Sequence, residues 1–300
     1  MEWEYFFIDL AQYTLEGVLK GLLYAVVAIA FIVVYRSGRI LNLAQGEILI
    51  FMAYVIWTFF SLTVFPFWIA LLLSFGAAVL LGLIIERFIF RPLIGQPIWA
   101  IIMVSIGLMI LIQGIVQVGW GGIERPFPQI FPEVPVRIGE LIFTSSIFWG
   151  GIIALAIVAG LTFVFNRTRW GLKLTAVAEE HQVAQAMGIS VKKSIAVAWI
   201  IGCALSTFAA IVFLIGQTLT FAAAVIGLHA LPVVLLAGLE SISGAVVAGI
   251  IVGIGESWAA AYLDPYTEGA MSQAFPYVLM LIVLLFRPQG LFGWKIIERV

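Results

Sequence analysis

Charge is what this chain has least of. Only 10% of its 300 residues are charged, 63% are hydrophobic, and the mean hydropathy is +1.16. Soluble domains carry about 25% charged and about 45–50% apolar residues. No core that a chain of this length builds in water takes up so much apolar surface, so the solvent is a bilayer. Cysteine is nearly missing as well. Cys203 stands alone, which excludes an intrachain disulfide and a cysteine-based metal site. Its position in an apolar run reads as a small buried residue. Two histidines and scattered carboxylates form no catalytic or metal constellation, so no catalytic residue, metal or cofactor is expected. A phosphate-binding loop is also absent: "GISVKKS" lacks the G-x-x-x-x-G-K-[ST] spacing and has no strand before it. There is no basic tail or stripe for nucleic acid. The opening "MEWEYFFIDLAQY" lacks the positive n-region of a cleavable signal. Its Trp3, Tyr5, Phe6 and Phe7 suit an interfacial anchor instead.

What is abundant is hydrocarbon in long, unalternating runs. Runs near 20 residues match a hydrocarbon layer of about 30 Å, and lipid forces the backbone to satisfy its own hydrogen bonds. The expected fold is therefore an all-α, polytopic transmembrane helical bundle in one domain over residues 1–300. Nine apolar segments stand out: Glu16–Tyr35, Ile48–Leu62, Trp68–Ile89, Ile98–Val118, Ser146–Phe165, Ser194–Gly216, Leu228–Leu239, Gly244–Leu263 and Phe275–Phe286. The seventh is short and contains Pro232. It is a candidate broken or re-entrant helix, which leaves the count at eight or nine.

Basic residues set the orientation, because short cytoplasmic loops are enriched in them. With the N-terminus outside, the inner loops hold Arg36, Arg39, Arg87, Arg91, Arg167, Arg169, Lys173, Lys192, Lys193, Arg287, Lys295 and Arg299. The outer loops hold only Arg125 and Arg137, and Lys20 lies within the first span. The expectation is N-terminus outside, C-terminus cytoplasmic. The outer loop Gly119–Glu140 carries Pro126, Pro128, Pro132 and Pro135 and reads as a stiff surface segment. Small residues recur at helical spacing in Gly17/Gly21, Gly202/Ser206 and Gly249/Gly253. They permit close helix approach, either inside the bundle or between subunits.

One cytoplasmic connection is too long for a simple turn. In residues 166–194, Ala176–Met187 reads as a short helix stopped by Gly188. Ala178, Val183, Ala186 and Met187 make an apolar face, and Glu179, Glu180, His181 and Gln182 a polar one. Such a helix docks on another protein or lies on lipid. The acidic pair weighs against anionic lipid.

With these residues in view, the chain resembles the permease subunits of branched-chain amino acid ATP-binding cassette importers, the LivH/LivM family. Four stretches carry the resemblance. "LLYAVVAIAFIVVYRSGRILNLAQGE" is similar to the family's first span and its N-x-A-x-G-E signature, here Asn42, Ala44, Gly46 and Glu47. "ERFIFRPL" matches an E-R…R-P-L pattern at Glu86, Arg87, Arg91, Pro92 and Leu93. "WGLKLTAVAEEHQVAQAMGISVKKSIAVAWIIGCALSTFAA" resembles the ATPase-facing loop and the next span, and "GLHALPVVLLAGLESISGAVVAGIIVGIGE" the glycine-rich late segment. The chain departs from the family at Gln45, where His is common, at Thr175, where Arg is usual, and in "LAGLESISG", which is less rich in glycine. These departures bear on substrate, since relatives carry leucine-type amino acids, urea or short amides and some sit with aromatic-acid catabolism, and on one ATPase contact.

The resemblance implies a permease that forms a translocation pathway in the bacterial or archaeal cytoplasmic membrane. It implies a second permease, two ATP-binding subunits and a soluble substrate-binding protein as partners. Residues Ala176, Glu179, Glu180, Val183, Ala186, Met187 and Gly188 would then carry ATPase coupling. The residues themselves add candidate pathway or gate positions at Asn42, Gln45, Glu47, Ser105 and Gln113. Asn42 and Gln45 can join helices or meet a passing solute, and Glu47 sits where a helix N-terminus favours its charge. Ser105, Gln113 and Gln117 fall near one stripe of the fourth span, lining a pathway or joining two helices. His229 reads as interfacial, and Glu240 and Glu256 as meeting loops or partner helices. A stand-alone secondary transporter or channel and an integral-membrane enzyme are the competing classes. The few intramembrane ionisable groups argue against the first, and the missing catalytic cluster against the second.

Overall fold

The computed structural model describes residues 2–39, 41–62, 65–121, 123–131, 134–179, 181–220 and 224–293. In chain order the helices are α1 (Glu2–Gly38), α2 (Gln45–Ser61), α3 (Phe67–Ile84), α4 (Ile98–Trp120), α5 (Ser145–Arg167), α6 (Arg169–Glu179), α7 (His181–Ala186), α8 (Val191–Leu214), α9 (Val225–Ala237), α10 (Ile242–Tyr262), α11 (Asp264–Thr267) and α12 (Ala270–Phe286). Short strands β1 (Arg125–Pro126), β2 (Val136–Ile138), β3 (Leu141–Phe143) and β4 (Thr218–Leu219) pair antiparallel as β1–β4 and β2–β3. All nine apolar segments are helical. Among the described residues six helices are long and apolar enough to cross a membrane: α1, α3 with its continuation to Leu93, α4, α5, α8 and α10. Helices α2, α9 and α12 are shorter apolar helices. Helix α9 has 13 residues and rises about 20 Å, short of the hydrocarbon thickness, as its Pro232 and length foretell.

The chain forms two compact units. The first comprises Met1–Ala28, Phe131–Thr162 and His229–Val300. In it α10 packs on α12, and α1 meets α10 through glycines. A Cβ on Gly17 would lie 2.6 Å from the Ile254 Cα, and one on Gly21 would lie 2.8 Å from the Ile250 Cα. The Gly17/Gly21 and Gly249/Gly253 pairs are therefore two sides of one contact inside the unit, where bare backbones touch. The proline-rich segment between α4 and α5 is not wholly irregular. It carries the β2–β3 hairpin, turned at Gly139 (φ 64°). Gln12 of α1 holds this hairpin, accepting from the Ile142 amide at 3.0 Å.

The second unit comprises Ile29–Ile130 and Phe163–Leu228. Helix α8 is its centre, packed on α2 and α3. A Cβ on Gly82 would stand 2.9 Å from the Ile200 Cα, so α3 crosses α8 at backbone distance. The end of α3 widens into a π-helical turn, Ile85–Phe90, followed by a 3₁₀ turn, Arg91–Leu93. A π turn aligns residues five apart rather than four. That register brings Arg91 onto Glu86 in a fork, with Nε to Oε1 at 2.9 Å and Nη2 to Oε2 at 2.7 Å. Glu86 is fully buried. The same turn stacks Phe90 on Trp199 of α8, ring centroids 4.5 Å apart. The E-R…R-P-L motif is thus a helix terminus that ties its own charges together and locks onto α8.

Candidate functional site

The polar stretch before α2 folds into a closed amide network. Asn42 Oδ1 accepts from the Ala44 amide at 3.1 Å, holding the turn that starts α2. Its Nδ2 donates to Gln45 Oε1 at 2.8 Å. Gln45 Nε2 donates across to α8, to Ser206 Oγ at 2.6 Å and the Gly202 carbonyl at 3.3 Å. Asn42, Gln45 and Ser206 are all buried. Two small residues make the arrangement possible. A Cβ on Gly202 would meet Val34 of α1 at 3.0 Å, and one on Gly46 would lie 2.5 Å from the Ala224 carbonyl oxygen. The N-x-A-x-G-E pattern is thus amides that bond helices and a glycine that lets a second chain segment lie against the α2 terminus. In this conformation the amides face protein.

Glu47 lies in the first turn of α2, buried, and accepts from Gln113 Nε2 of α4 at 2.9 Å. Ser105 is not part of this contact. Its hydroxyl donates to the Ile102 carbonyl of its own helix at 2.9 Å. The buried stripe of α4 is Ile101, Ser105, Leu108, Ile112 and Val116, while Gln113 and Gln117 are exposed. The single polar stripe expected from Ser105, Gln113 and Gln117 does not form. At about 100° per residue, eight residues drift roughly 80° round the helix. The structure thus brings Asn42 and Gln45 together, pairs Glu47 with Gln113, and leaves Ser105 apart.

The long segment after α5 is helical over more than Ala176–Met187: helix is described over Arg169–Glu179 (α6) and His181–Ala186 (α7), so it begins at Arg169. Gly171 sits in the first turn of α6, where the chain doubles back tightly. A Cβ on it would collide with the Phe165 backbone. Leu174, Val177 and Ala184 are buried. Ala176 and Ala178 are half-buried, and Val183, Ala186 and Met187 are exposed. Glu180 and the side chain of Glu179 lie outside the described residues. Gly188 ends α7 as expected. It adopts φ +76°, with the Ile189 amide returning to the Ala184 carbonyl at 2.9 Å.

Two contacts had no signal in the sequence. Thr175 of α6 accepts from Arg36 Nη2 of α1 at 2.5 Å, and the Arg36 guanidinium lies 5.3 Å from the Phe165 ring centre. The departure at Thr175 therefore has a local partner, one that an arginine there would repel. In the first unit, Lys20 Nζ pairs with Glu256 Oε1 at 2.6 Å, and Tyr24 OH donates to the same oxygen at 3.1 Å. Among the described residues Glu256 Oε2 is buried without a hydrogen-bond partner. His229 lies edge-on to Tyr277, centroids 5.9 Å apart. Glu256 thus meets a neighbouring helix, as its position leads one to expect. Among the described residues no group of three His, Cys, Asp or Glu forms a metal site.

The family described as branched-chain amino acid transport system / permease component matches residues 13–284. The high-affinity branched-chain amino acid transport system permease protein BraD of Pseudomonas aeruginosa is 28% identical over 96% of this chain and 97% of its own. LivH of Escherichia coli K12, of the same description, is 27% identical over 98% of this chain and 99% of its own. A probable branched-chain amino acid transport permease protein LivH of Methanocaldococcus jannaschii is 25% identical over 95% and 94%. The likeness covers nearly the whole length of each chain. This chain belongs to the permease component family of branched-chain amino acid transport systems.

Proposed function

We propose that this chain is one permease half of an ATP-driven importer for leucine-type amino acids. It works with a second permease, two ATP-binding subunits and a soluble substrate-binding protein. Its N-terminus is outside and its C-terminus cytoplasmic. The carrying observation is the surface of α6 and α7. One side is sealed against the unit by Leu174, Val177 and Ala184. The other presents Leu172, Val183 and Met187 at 71, 58 and 76% exposure, with Ala186 beside them. A solvated linker has no use for an apolar face held out on a packed base; an ATPase groove does. The Arg36–Thr175 bond gives this docking element a rigid link to α1. On the membrane side, the amide network of Asn42, Gln45 and Ser206 joins α2 to α8 where a gate would part them, with Glu47 and Gln113 joining α2 to α4. Ser105, packed on its own helix, contributes to the wall.

The test is Ala186→Asp. Ala186 is exposed, so the substitution leaves the fold intact and acts only at a docked surface, where an unpaired desolvated charge costs several kcal/mol. The expected result is loss of ATPase co-purification, or hydrolysis that no longer drives uptake, with substrate and binding protein still recognised on the opposite face. Unchanged co-purification and unchanged substrate-stimulated hydrolysis remove the docking role. Cysteine labelling of intact cells at residues 119–140 but not at residues 183–193 is the expected topology result; strong external labelling of the latter reverses the orientation.

A further inference from the structure

We infer that a cleft in the first unit, between α1, α5 and α10, is a binding site for an α-amino acid zwitterion. The inference rests on the importer reading above and names a site for its substrate. The cleft has a volume of about 430 Å³ and is lined by Tyr13, Glu16, Lys20, Ile147, Ser257 and the alanines at 260 and 261. That volume falls within the about 300–1,000 Å³ typical of small-molecule sites. Glu16 and Lys20 are one helical turn apart on α1, about 6 Å along its axis, and face the same space. One offers a carboxylate and the other an ammonium, the two complements of an amino acid head group. Tyr13 and Ser257 add hydroxyls, and Ile147 with the two alanines makes an aliphatic wall for a branched side chain.

The cation is positioned rather than free. Glu256, itself buried, holds Lys20 Nζ from behind at 2.6 Å, while 34% of the Lys20 side chain remains exposed. A pinned ammonium with donors to spare orients an incoming carboxylate at little entropic loss. Charged side chains inside a membrane protein are expensive and mark ligand sites by default. Lys20 neutralises the buried Glu256 carboxylate, and it faces the cleft together with Glu16. The cleft also lies at one end of the unit, beside the first turn of α5 and the last two turns of α10. With the N-terminus outside, that is the side on which a binding protein delivers its cargo. A zwitterionic phospholipid head group shares the ammonium–anion chemistry and is the second source to separate.

The experiment uses the complete importer in nanodiscs and photo-leucine, a diazirine analogue of leucine, with crosslinks mapped by mass spectrometry. Labelling is expected within residues 13–20 or 257–261. L-leucine should compete. 4-Methylpentanoate and 3-methylbutylamine, each lacking one charge, should compete at least about tenfold more weakly, as loss of a charged hydrogen bond predicts. Glu16→Gln leaves the Lys20–Glu256 pair intact and should lower labelling about tenfold with unchanged thermal unfolding; Glu16→Asp should recover part of it. Crosslinks elsewhere, or labelling indifferent to Glu16→Gln, overturn the site. Competition by phosphatidylethanolamine but not by L-leucine makes it a lipid site. If the reconstituted wild type takes up no leucine, the importer reading falls and this one with it. If uptake is normal and the cleft stays unlabelled, only the cleft falls.

Discussion

Gln45 and Glu256 are both buried polar side chains bridging two helices, yet they are built in opposite ways. Gln45 is neutral and saturated, with its oxygen taken by Asn42 and its nitrogen by Ser206 and Gly202. Glu256 is charged and half-used: one oxygen serves both Lys20 and Tyr24, and the other has no hydrogen-bond partner among the described residues. The difference matters because the two chemistries tolerate motion differently. A neutral amide pair can open, exchange partners with water or solute, and close at a net cost of about 1 kcal/mol per bond. A buried ion pair cannot open without stranding a charge. The amide network suits a contact that parts during transport; the Lys20–Glu256 pair suits a fixed element that holds a cation in place.

The sharpest way to break this contrast is Lys20→Met. It strands a carboxylate whose side chain is only 7% exposed, and loss of one member of a buried pair costs about 3–5 kcal/mol. Thermal unfolding of the purified protein should show this, and the double variant Lys20→Met/Glu256→Leu should recover most of it. If Lys20→Met unfolds no earlier than a Gln45 variant, the pair is not the fixed element described.

Next in size is Gln45→Leu. It leaves the Asn42 amide and the Ser206 hydroxyl without their partner in a buried setting, at about 1–3 kcal/mol. Uptake by the assembled importer should fall with it. Asn42→Leu leaves the Ala44 amide and the Gln45 oxygen without their partner, so the stability loss should again be about 1–3 kcal/mol. Assembly should survive and transport should not. A variant that fails to assemble makes the contact purely structural, and one that transports normally removes the gate role.

These two clusters were unequally legible in the sequence, for physical reasons. Hydrocarbon runs announce helices by length alone, so all nine segments appear. The amides announce themselves because Asn42, Gln45 and Glu47 interrupt such a run. Partner identity is another matter. Lys20 and Glu256 are 236 residues apart, and nothing local marks them as a pair. Gly17/Gly21 and Gly249/Gly253 are visible as close-approach sites, but not as each other's partners. The π turn at Ile85–Phe90 is hidden because π and α turns share a composition; only the five-residue spacing of Glu86 and Arg91 hints at it. The early start of α6 is hidden by Gly171, whose need comes from a backbone collision that no periodicity encodes.

The smallest expected effect is at Gln45, one of the positions where the chain departs from the pattern of the family it resembles. The family pattern that the sequence resembles has histidine where Gln45 stands. If the network is what the site requires, and not the amide as such, Gln45→His should be nearly neutral. A neutral imidazole has one N–H and one ring nitrogen acceptor. The N–H can donate to Ser206 Oγ, now 2.6 Å from the amide nitrogen, and the acceptor can take the Asn42 amide now bonded at 2.8 Å. Only the longer bond to the Gly202 carbonyl, at 3.3 Å, has no replacement. The loss should be within about 1 kcal/mol in unfolding, with uptake close to wild type. The ring adds a charge option that the amide lacks, since imidazole titrates near neutrality. Uptake by Gln45→His should therefore depend on pH between about 5 and 7, where the wild type does not, because a protonated ring is donor-only and turns Asn42 Nδ2 away. A variant that transports with a flat pH profile keeps its ring neutral and the network closed. One that fails at every pH shows that this chain's α2–α8 contact is fitted to the amide itself.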